Sequence, residues 1–216
     1  MSERKSYQVN EVFCSMQGEG LRKGTLNVFV RFSGCNLQCR RDGPEGFDCD
    51  TEFESGRRFS RDELVAFAAM LWERETGRSP VKDPHAWVIL TGGEPTLQIT
   101  EGLLRAFSAA GFMVAVETNG TNPLLPLVDW VCCSPKSAAH TIRIDRADEV
   151  RVVRHEGQGV PVLPEALRSA SYRFVSPAFG ADGEPEPGAM ATCARIVRED
   201  PSWRLSVQDH KRWGVR

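Results

Sequence analysis

The chain has 216 residues, enough for one well-buried core as a single domain, 1–216, or a small barrel. Hydrophobic residues make up 41%, and 27 basic against 29 acidic side chains leave a net charge of −2. No basic block offers a phosphate-backbone surface, so direct nucleic-acid binding is not expected. No run of about eighteen apolar residues is present to span a membrane. The polar start Met1-Ser2-Glu3-Arg4-Lys5-Ser6 lacks the apolar segment of an export signal. Seven cysteines in such a chain point to a reducing cytoplasm and to metal or redox use.

In chain order, Val9 to Ser15 alternates as a strand does and leads into Gln17-Gly18-Glu19-Gly20. That is either a plain hairpin turn or a tight loop whose glycines let backbone approach a ligand. Asn27 to Phe32 is the first strong strand. It runs into Ser33-Gly34-Cys35-Asn36-Leu37-Gln38-Cys39, completed by Cys49-Asp50-Thr51. A loop over 33–51 therefore carries three cysteines at Cx3Cx9C, with polar Arg40 to Phe47 between the last two. Three thiolates are one short of a closed four-ligand site. A cubane iron–sulfur cluster on three cysteines leaves one iron open, and a zinc site with an open position is the other chemistry this count allows. Ordinary buried thiols or halves of disulfides are the plain alternative.

Ser60-Arg61-Asp62-Glu63 is a capping box opening a helix that stops before Gly77. Ala86 to Leu90 is a continuous apolar run, as in a strand buried on both faces, and ends in Thr91-Gly92-Gly93-Glu94-Pro95. Thr100 caps a helix that Gly111 stops. Strands follow at Phe112–Val116, ending in Glu117-Thr118-Asn119, at Asp129–Cys133, ending in Ser134-Pro135-Lys136, and at Glu149–Val153. A short helix is expected over Pro164–Ala170, then a strand at Tyr172–Val175 before Ser176-Pro177. A loop over 180–188 is expected to be flexible, followed by a helix at Ala189–Arg198 and a last strand at Trp203–Val207, before His210. Cys14, Cys132, Cys133 and Cys193 read as structural thiols; Cys132 and Cys133 point to opposite faces of their strand.

Strands alternating with helices predict a mainly parallel sheet. About six strands are too few for a closed eight-stranded barrel, and the stretch from Pro135 to Asp148 is too short for a robust helix. The expected fold is α/β, an incomplete parallel β/α (TIM-like) barrel with few covering helices. The polar or glycine-rich groups nearly all follow a strand, and active sites gather at that carboxyl edge. An iron without a cysteine ligand can take the amino group and carboxylate of a small molecule. Gly92 and Gly93 suit close approach there, Glu94 offers an acceptor for an ammonium, and Thr118 and Asn119 can hydrogen-bond a sugar.

Taken together, Gln17-Gly18-Glu19-Gly20, Arg31-Phe32-Ser33-Gly34-Cys35-Asn36-Leu37, Cys49-Asp50-Thr51, Thr91-Gly92-Gly93-Glu94-Pro95, Glu117-Thr118-Asn119-Gly120-Thr121, Ser134-Pro135-Lys136 and His210-Lys211 resemble the radical S-adenosylmethionine superfamily. Within it the set is similar to the 7-carboxy-7-deazaguanine synthases, in order through nearly the whole chain. The resemblance implies a 4Fe–4S cluster on Cys35, Cys39 and Cys49, S-adenosylmethionine, and a magnesium ion held by Thr51. It implies conversion of 6-carboxy-5,6,7,8-tetrahydropterin to 7-carboxy-7-deazaguanine with loss of ammonia, a step toward queuosine and other 7-deazapurines. Met16, Gln17, Gly18, Glu19, Arg31, Thr91, Ser176, Pro177, His210 and the carboxylate of Arg216 would surround the pterin, with Arg31 clamping its carboxylate. Asp48, Cys49, Asp50, Gly93, Ser134, Pro135 and Lys136 would contact S-adenosylmethionine, and Glu117 would lie near the transferred hydrogen or the sugar. A homodimer and an electron donor such as flavodoxin are implied as partners.

The chain departs from the family pattern in two places. The second cysteine gap is nine residues where the superfamily has two, and Ser176 stands where the family more often has glutamine. Two rival readings are a different radical enzyme, such as a glycyl-radical activase, and a non-catalytic zinc module on Cys35, Cys39, Cys49 and His210.

Overall fold

The computed structural model describes residues 6–40, 49, 52–136, 139–180 and 182–215. Among them, β1 (Tyr7–Met16) and β2 (Leu26–Phe32) form an antiparallel hairpin, and β3 (Arg57–Phe59) pairs antiparallel with the outer side of β1. Then come α1 (Arg61–Thr76), β4 (Trp87–Gly92), α2 (Glu101–Ala109), β5 (Met113–Thr118), β6 (Trp130–Cys133) and β7 (Glu149–Arg154). The chain continues through β8 (Tyr172–Pro177), α3 (Ala189–Glu199), β9 (Trp203–Leu205) and α4 (His210–Trp213).

The nine strands of the described residues make one sheet in the order β3-β1-β2-β4-β5-β6-β7-β8-β9. From β2 to β9 every neighbouring pair is parallel. From β4 on, each new strand is added at the same edge, so the parallel order never reverses as it does in a doubly wound sheet. This is the partial barrel expected from the sequence; the strand it adds to those read from the sequence is β3, which extends the β1 side.

Two apolar layers set the orientation of every strand. On the convex side Val28, Val30, Val88, Leu90, Val114, Val116, Val131 and Val150 join Leu64, Leu71, Trp72, Leu103, Leu104, Phe107 and Ile196 of the helices in the main core. On the concave side a smaller cluster of Phe13, Phe29, Ile89 and Ala115 is completed by Trp87 and Trp130. Strand alternation then puts the next residue up, Arg31, Thr91, Glu117 or Cys132, on that same concave face, toward the carboxyl ends.

The helices start where the sequence says. Ser60 accepts from the Glu63 N–H while the Glu63 carboxylate returns to the Ser60 backbone, and Gly77 closes α1 in the left-handed region. Thr100 caps α2 through the Leu103 N–H. Two expectations need correction. Pro164–Ala170 holds only a single 3-10 turn, Glu165–Leu167, because Pro164 sits ahead of it and Arg168 already carries its end. The last strand stops at Leu205; the Ser206 N–H still donates to the Val175 carbonyl of β8, while its hydroxyl accepts from the Gly20 N–H.

Candidate functional site

A cavity of about 560 Å³ opens at the carboxyl ends of the parallel strands. Nearly every strand contributes to it: Arg31 from β2, Thr91 and Gly92 from β4, Glu117 and Thr118 from β5, Cys132 from β6, Arg151 and Val153 from β7, and Ser176 and Pro177 from β8. Phe13 and Phe29 form its apolar floor, with rings stacked at 5.1 Å.

The three thiols of Cys35, Cys39 and Cys49 line one side of this cavity. The Cys49 N–H donates to the Cys39 carbonyl at 3.3 Å, which brings the far end of the long loop back beside its start. Burial pushes the Cys35 thiol up, opposed by the Leu37 N–H, which donates to its sulfur at 3.4 Å. No disulfide joins any of the seven cysteines. The residue type suits an iron–sulfur cluster, but among the described residues the three thiols are not gathered into a group close enough to hold a metal ion.

The glycines of Thr91-Gly92-Gly93-Glu94 lie against protein backbone. The Gly93 N–H donates to the Phe32 carbonyl at 3.0 Å and the Glu94 N–H to the Gly34 carbonyl at 2.9 Å. A Cβ on Gly93 would stand 2.0 Å from the Gly34 oxygen. The cysteine loop is thereby clamped to the end of β4, and the opposite side of Gly93 remains on the cavity wall.

Glu94 is fully buried and faces inward. Its carboxylate accepts from the Thr96 N–H, from the Thr118 hydroxyl at 2.8 Å and from the Asn119 N–H at 2.8 Å. The Asn119 amide in turn donates to Asn36 at 3.0 Å, and Asn36 donates to Thr121 at 2.8 Å. Glu94, Thr118 and Asn119 therefore join the ends of β4 and β5 to the cysteine loop. Thr118 and Asn119 also line the cavity, whereas Glu94 and Pro135 do not. Ser134 and Lys136 do, and the Ser134 hydroxyl donates to the Arg151 carbonyl at 3.1 Å.

The Gln17–Gly20 loop arrives from the opposite end of the sheet, because β1 runs antiparallel to β2. Met16, Gln17, Gly18 and Glu19 nonetheless reach the cavity. Gln17 donates to Glu117 at 2.9 Å, and Thr91 donates to the other Glu117 oxygen at 3.1 Å. Burial works to raise the Glu117 carboxyl. Arg151 at 3.0 Å, with the Gln17 and Thr91 donors, outweighs burial and holds it below the usual carboxylate range.

Arg31 lines the cavity while pairing with Glu11 at 3.0 Å, its direct partner across the hairpin. His210 begins α4 and packs on Gly18, where a Cβ would lie 2.1 Å from its Nδ1. The Ser176 hydroxyl is buried on the cavity wall with no protein partner. Asp48, Asp50, Thr51 and Arg216 lie outside the described residues. Sequence reading missed Arg151 and Glu149. Two opposite charges two apart in a strand, on one face of it, were the available signal. Phe179, Gln208 and Lys211 also enter the wall.

No helix among the described residues is long and apolar enough to cross a membrane. A partial parallel barrel with a three-cysteine loop clamped to a Gly-Gly-Glu-Pro strand end, on the wall of a cavity lined by both polar and apolar groups, is that of an enzyme of the radical S-adenosylmethionine class. No family model matches the chain. The crystal structure of QueE from Escherichia coli has the same fold, with a TM-score of 0.64 over 94% of this chain and 93% of that one at 20% identity. The 7-carboxy-7-deazaguanine synthase of Bacteroides thetaiotaomicron is 40% identical over 209 residues, covering 97% of this chain and 98% of the relative. That of Bradyrhizobium diazoefficiens is 38% identical over 224 residues, covering 98% and 100%. The chain belongs to the 7-carboxy-7-deazaguanine synthase family.

Proposed function

We propose that this enzyme converts 6-carboxy-5,6,7,8-tetrahydropterin to 7-carboxy-7-deazaguanine with loss of ammonia. The observation that carries this reading is the convergence of six strand ends on one cavity walled by Cys35, Cys39 and Cys49. Those thiols would hold a 4Fe–4S cluster, and Gly93, Ser134 and Lys136 would seat S-adenosylmethionine beside it. When bound, cluster and sulfonium together supply the 5′-deoxyadenosyl radical that removes one hydrogen atom from the substrate. The chain's own residues do the rest.

Arg31 offers its fork to the pterin carboxylate, sharing the charge with Glu11. Gln17, Thr91 and Glu117 form one hydrogen-bonded set against the ring, and the unpartnered Ser176 hydroxyl gives a further donor or acceptor. The apolar floor of Phe13 and Phe29 keeps water from beneath the reacting ring. His210 closes over Gly18 from the C-terminal side. Magnesium on Thr51, S-adenosylmethionine contacts from Asp48, Asp50 and Pro135, and the Arg216 carboxylate are part of the same proposal. So are a reducing cytoplasmic setting, action as one domain, a homodimer, and a flavodoxin-type electron donor.

The test is product analysis by mass after anaerobic incubation of the reconstituted enzyme with the tetrahydropterin, S-adenosylmethionine and a reductant. The expected outcome is 7-carboxy-7-deazaguanine from wild type, and from Cys49→Ala neither the product nor cofactor cleavage. A colourless protein with one tightly held zinc would favour the non-catalytic module instead. Cofactor cleavage by an intact cluster without deazaguanine would favour a different radical enzyme.

A further inference from the structure

Beneath the cavity, Arg151 is the common partner of three carboxylates. Its guanidinium bonds to Glu149 on its own strand, to Glu117 of β5 at 3.0 Å and to Glu19 of the β1–β2 loop at 3.5 Å. Its side chain is 9% exposed and that of Glu149 is fully buried. Three carboxylates gather around this guanidinium, with the part-buried Arg22 also near Glu149 and Glu117, and a buried charge is tolerated only when donors surround it.

The remaining donors come largely from one place. Glu149 accepts from the Leu21 N–H at 2.9 Å with its second oxygen, and Gly20 lies against its first, where a Cβ would come within 1.9 Å. Gln17 donates to Glu117. The Glu149–Arg151 pair thus holds the β1–β2 loop and Glu117 in one fixed relation. Of the roughly four acceptor sites on the Glu117 carboxylate, Gln17, Arg151 and Thr91 take three, which leaves one on the oxygen that Thr91 bonds. Such a patch of the wall calls for a ligand rich in N–H donors, and the amino-pyrimidinone half of a reduced pterin is one.

We propose that Arg151 is a positioning residue of the substrate pocket: it fixes Glu117 and Glu19 as acceptors for the N–H edge of the pterin and holds the Gln17–Gly20 loop beneath the ring. This rests on the functional reading above.

The experiment compares wild type, Arg151→Gln and Arg151→Lys as anaerobically reconstituted holoenzymes. Four quantities are measured: kcat and KM for the tetrahydropterin, its equilibrium binding by calorimetry, and S-adenosylmethionine cleavage without the pterin. Arg151→Gln should raise KM and weaken pterin binding on the order of tenfold or more, as loss of a charge-assisted contact does. Cleavage without the pterin should fall less than pterin binding does, because Cys35, Cys39, Cys49, Gly93 and Lys136 form no bond with the Arg151 side chain among those described. Arg151→Lys should fall between, keeping the charge and losing the fork. An arginine with only a structural role would lower melting temperature and active fraction without moving KM.

Unchanged KM and binding in Arg151→Gln overturns the proposal. If that variant does not fold, Arg151→Lys decides, and a KM equal to wild type overturns it. A wild-type enzyme that makes no deazaguanine overturns the functional reading and this inference with it, so the two failures are told apart by the wild-type lane.

Discussion

Gly93 does its work against the protein as well as toward the cavity. Its missing Cβ lets the end of β4 lie on the Gly34 carbonyl, and two backbone hydrogen bonds then hold the cysteine loop in place. Replacing it with alanine forces backbone against backbone, which no side-chain rotation relieves, and overpacking of this kind costs about 1–3 kcal/mol. Gly93→Ala should therefore lower the melting temperature and reduce iron bound per chain after reconstitution. Full iron loading at an unchanged melting temperature would refute the clamp. The motif announced that something approaches closely at these glycines, but a single sequence does not say whether it is ligand or chain. Glu94 was open in the same way: a carboxylate at a strand end reads as ligand-facing until the donors around it are seen, and here Thr96, Thr118 and Asn119 turn it inward. Arg151 was hidden for the opposite reason, since Glu149-Val150-Arg151-Val152-Val153 has the alternation of any half-buried strand.

Elements with a full period were legible and short ones were not. The ten-residue β1, the apolar cores of β2, β4 and β5, and both capped helices α1 and α2 stand close to their expected positions because each combines a pattern with a punctuating residue. The three-residue β3 has no period to read, and exists because its backbone pairs with Tyr7–Val9. The four-residue α4 likewise depends on Asp209 and the loop it touches. Where a cap is present, its contribution is local to the helix. Ser60→Ala removes the side-chain half of the α1 box, leaving the backbone N–H of residue 60 on the Glu63 carboxylate, and should lower the melting temperature by about 2–4 °C, the scale for a single cap in a chain this size. It should leave kcat and KM alone, because α1 packs on the convex face, away from the cavity. A changed KM would mean that the helix bears on the site in a way its packing does not suggest.

At the scale of the molecule, the question is how an open sheet encloses a reaction that water would spoil. β9 and β3 are the two ends of the strand order, and no ladder joins them among the described residues. The join is made by the β1–β2 loop and the segment after β9. The Gly20 N–H donates to the Ser206 hydroxyl at 2.9 Å, the Asp209 N–H to the Gly18 carbonyl at 3.2 Å, and Lys23 pairs with Asp209 at 2.7 Å. Lys211 lies over the Phe179 ring at 4.2 Å and draws the same segment toward the end of β8. These ties are single bonds and ion pairs, partly exposed, and not a continuous ladder, so they can open at less cost than a strand pair, which is what entry of a substrate requires. Gly18 is the point where they meet the active site, because the His210 ring rests on its Cα. An alanine there would push aside a side chain on a four-residue helix and leave the barrel wall undisturbed. Gly18→Ala should accordingly raise KM for the tetrahydropterin several-fold, increase hydrogen exchange in residues 206–215, and shift the melting temperature little. Exchange and KM both equal to wild type would mean that the segment after β9 does not close the pocket.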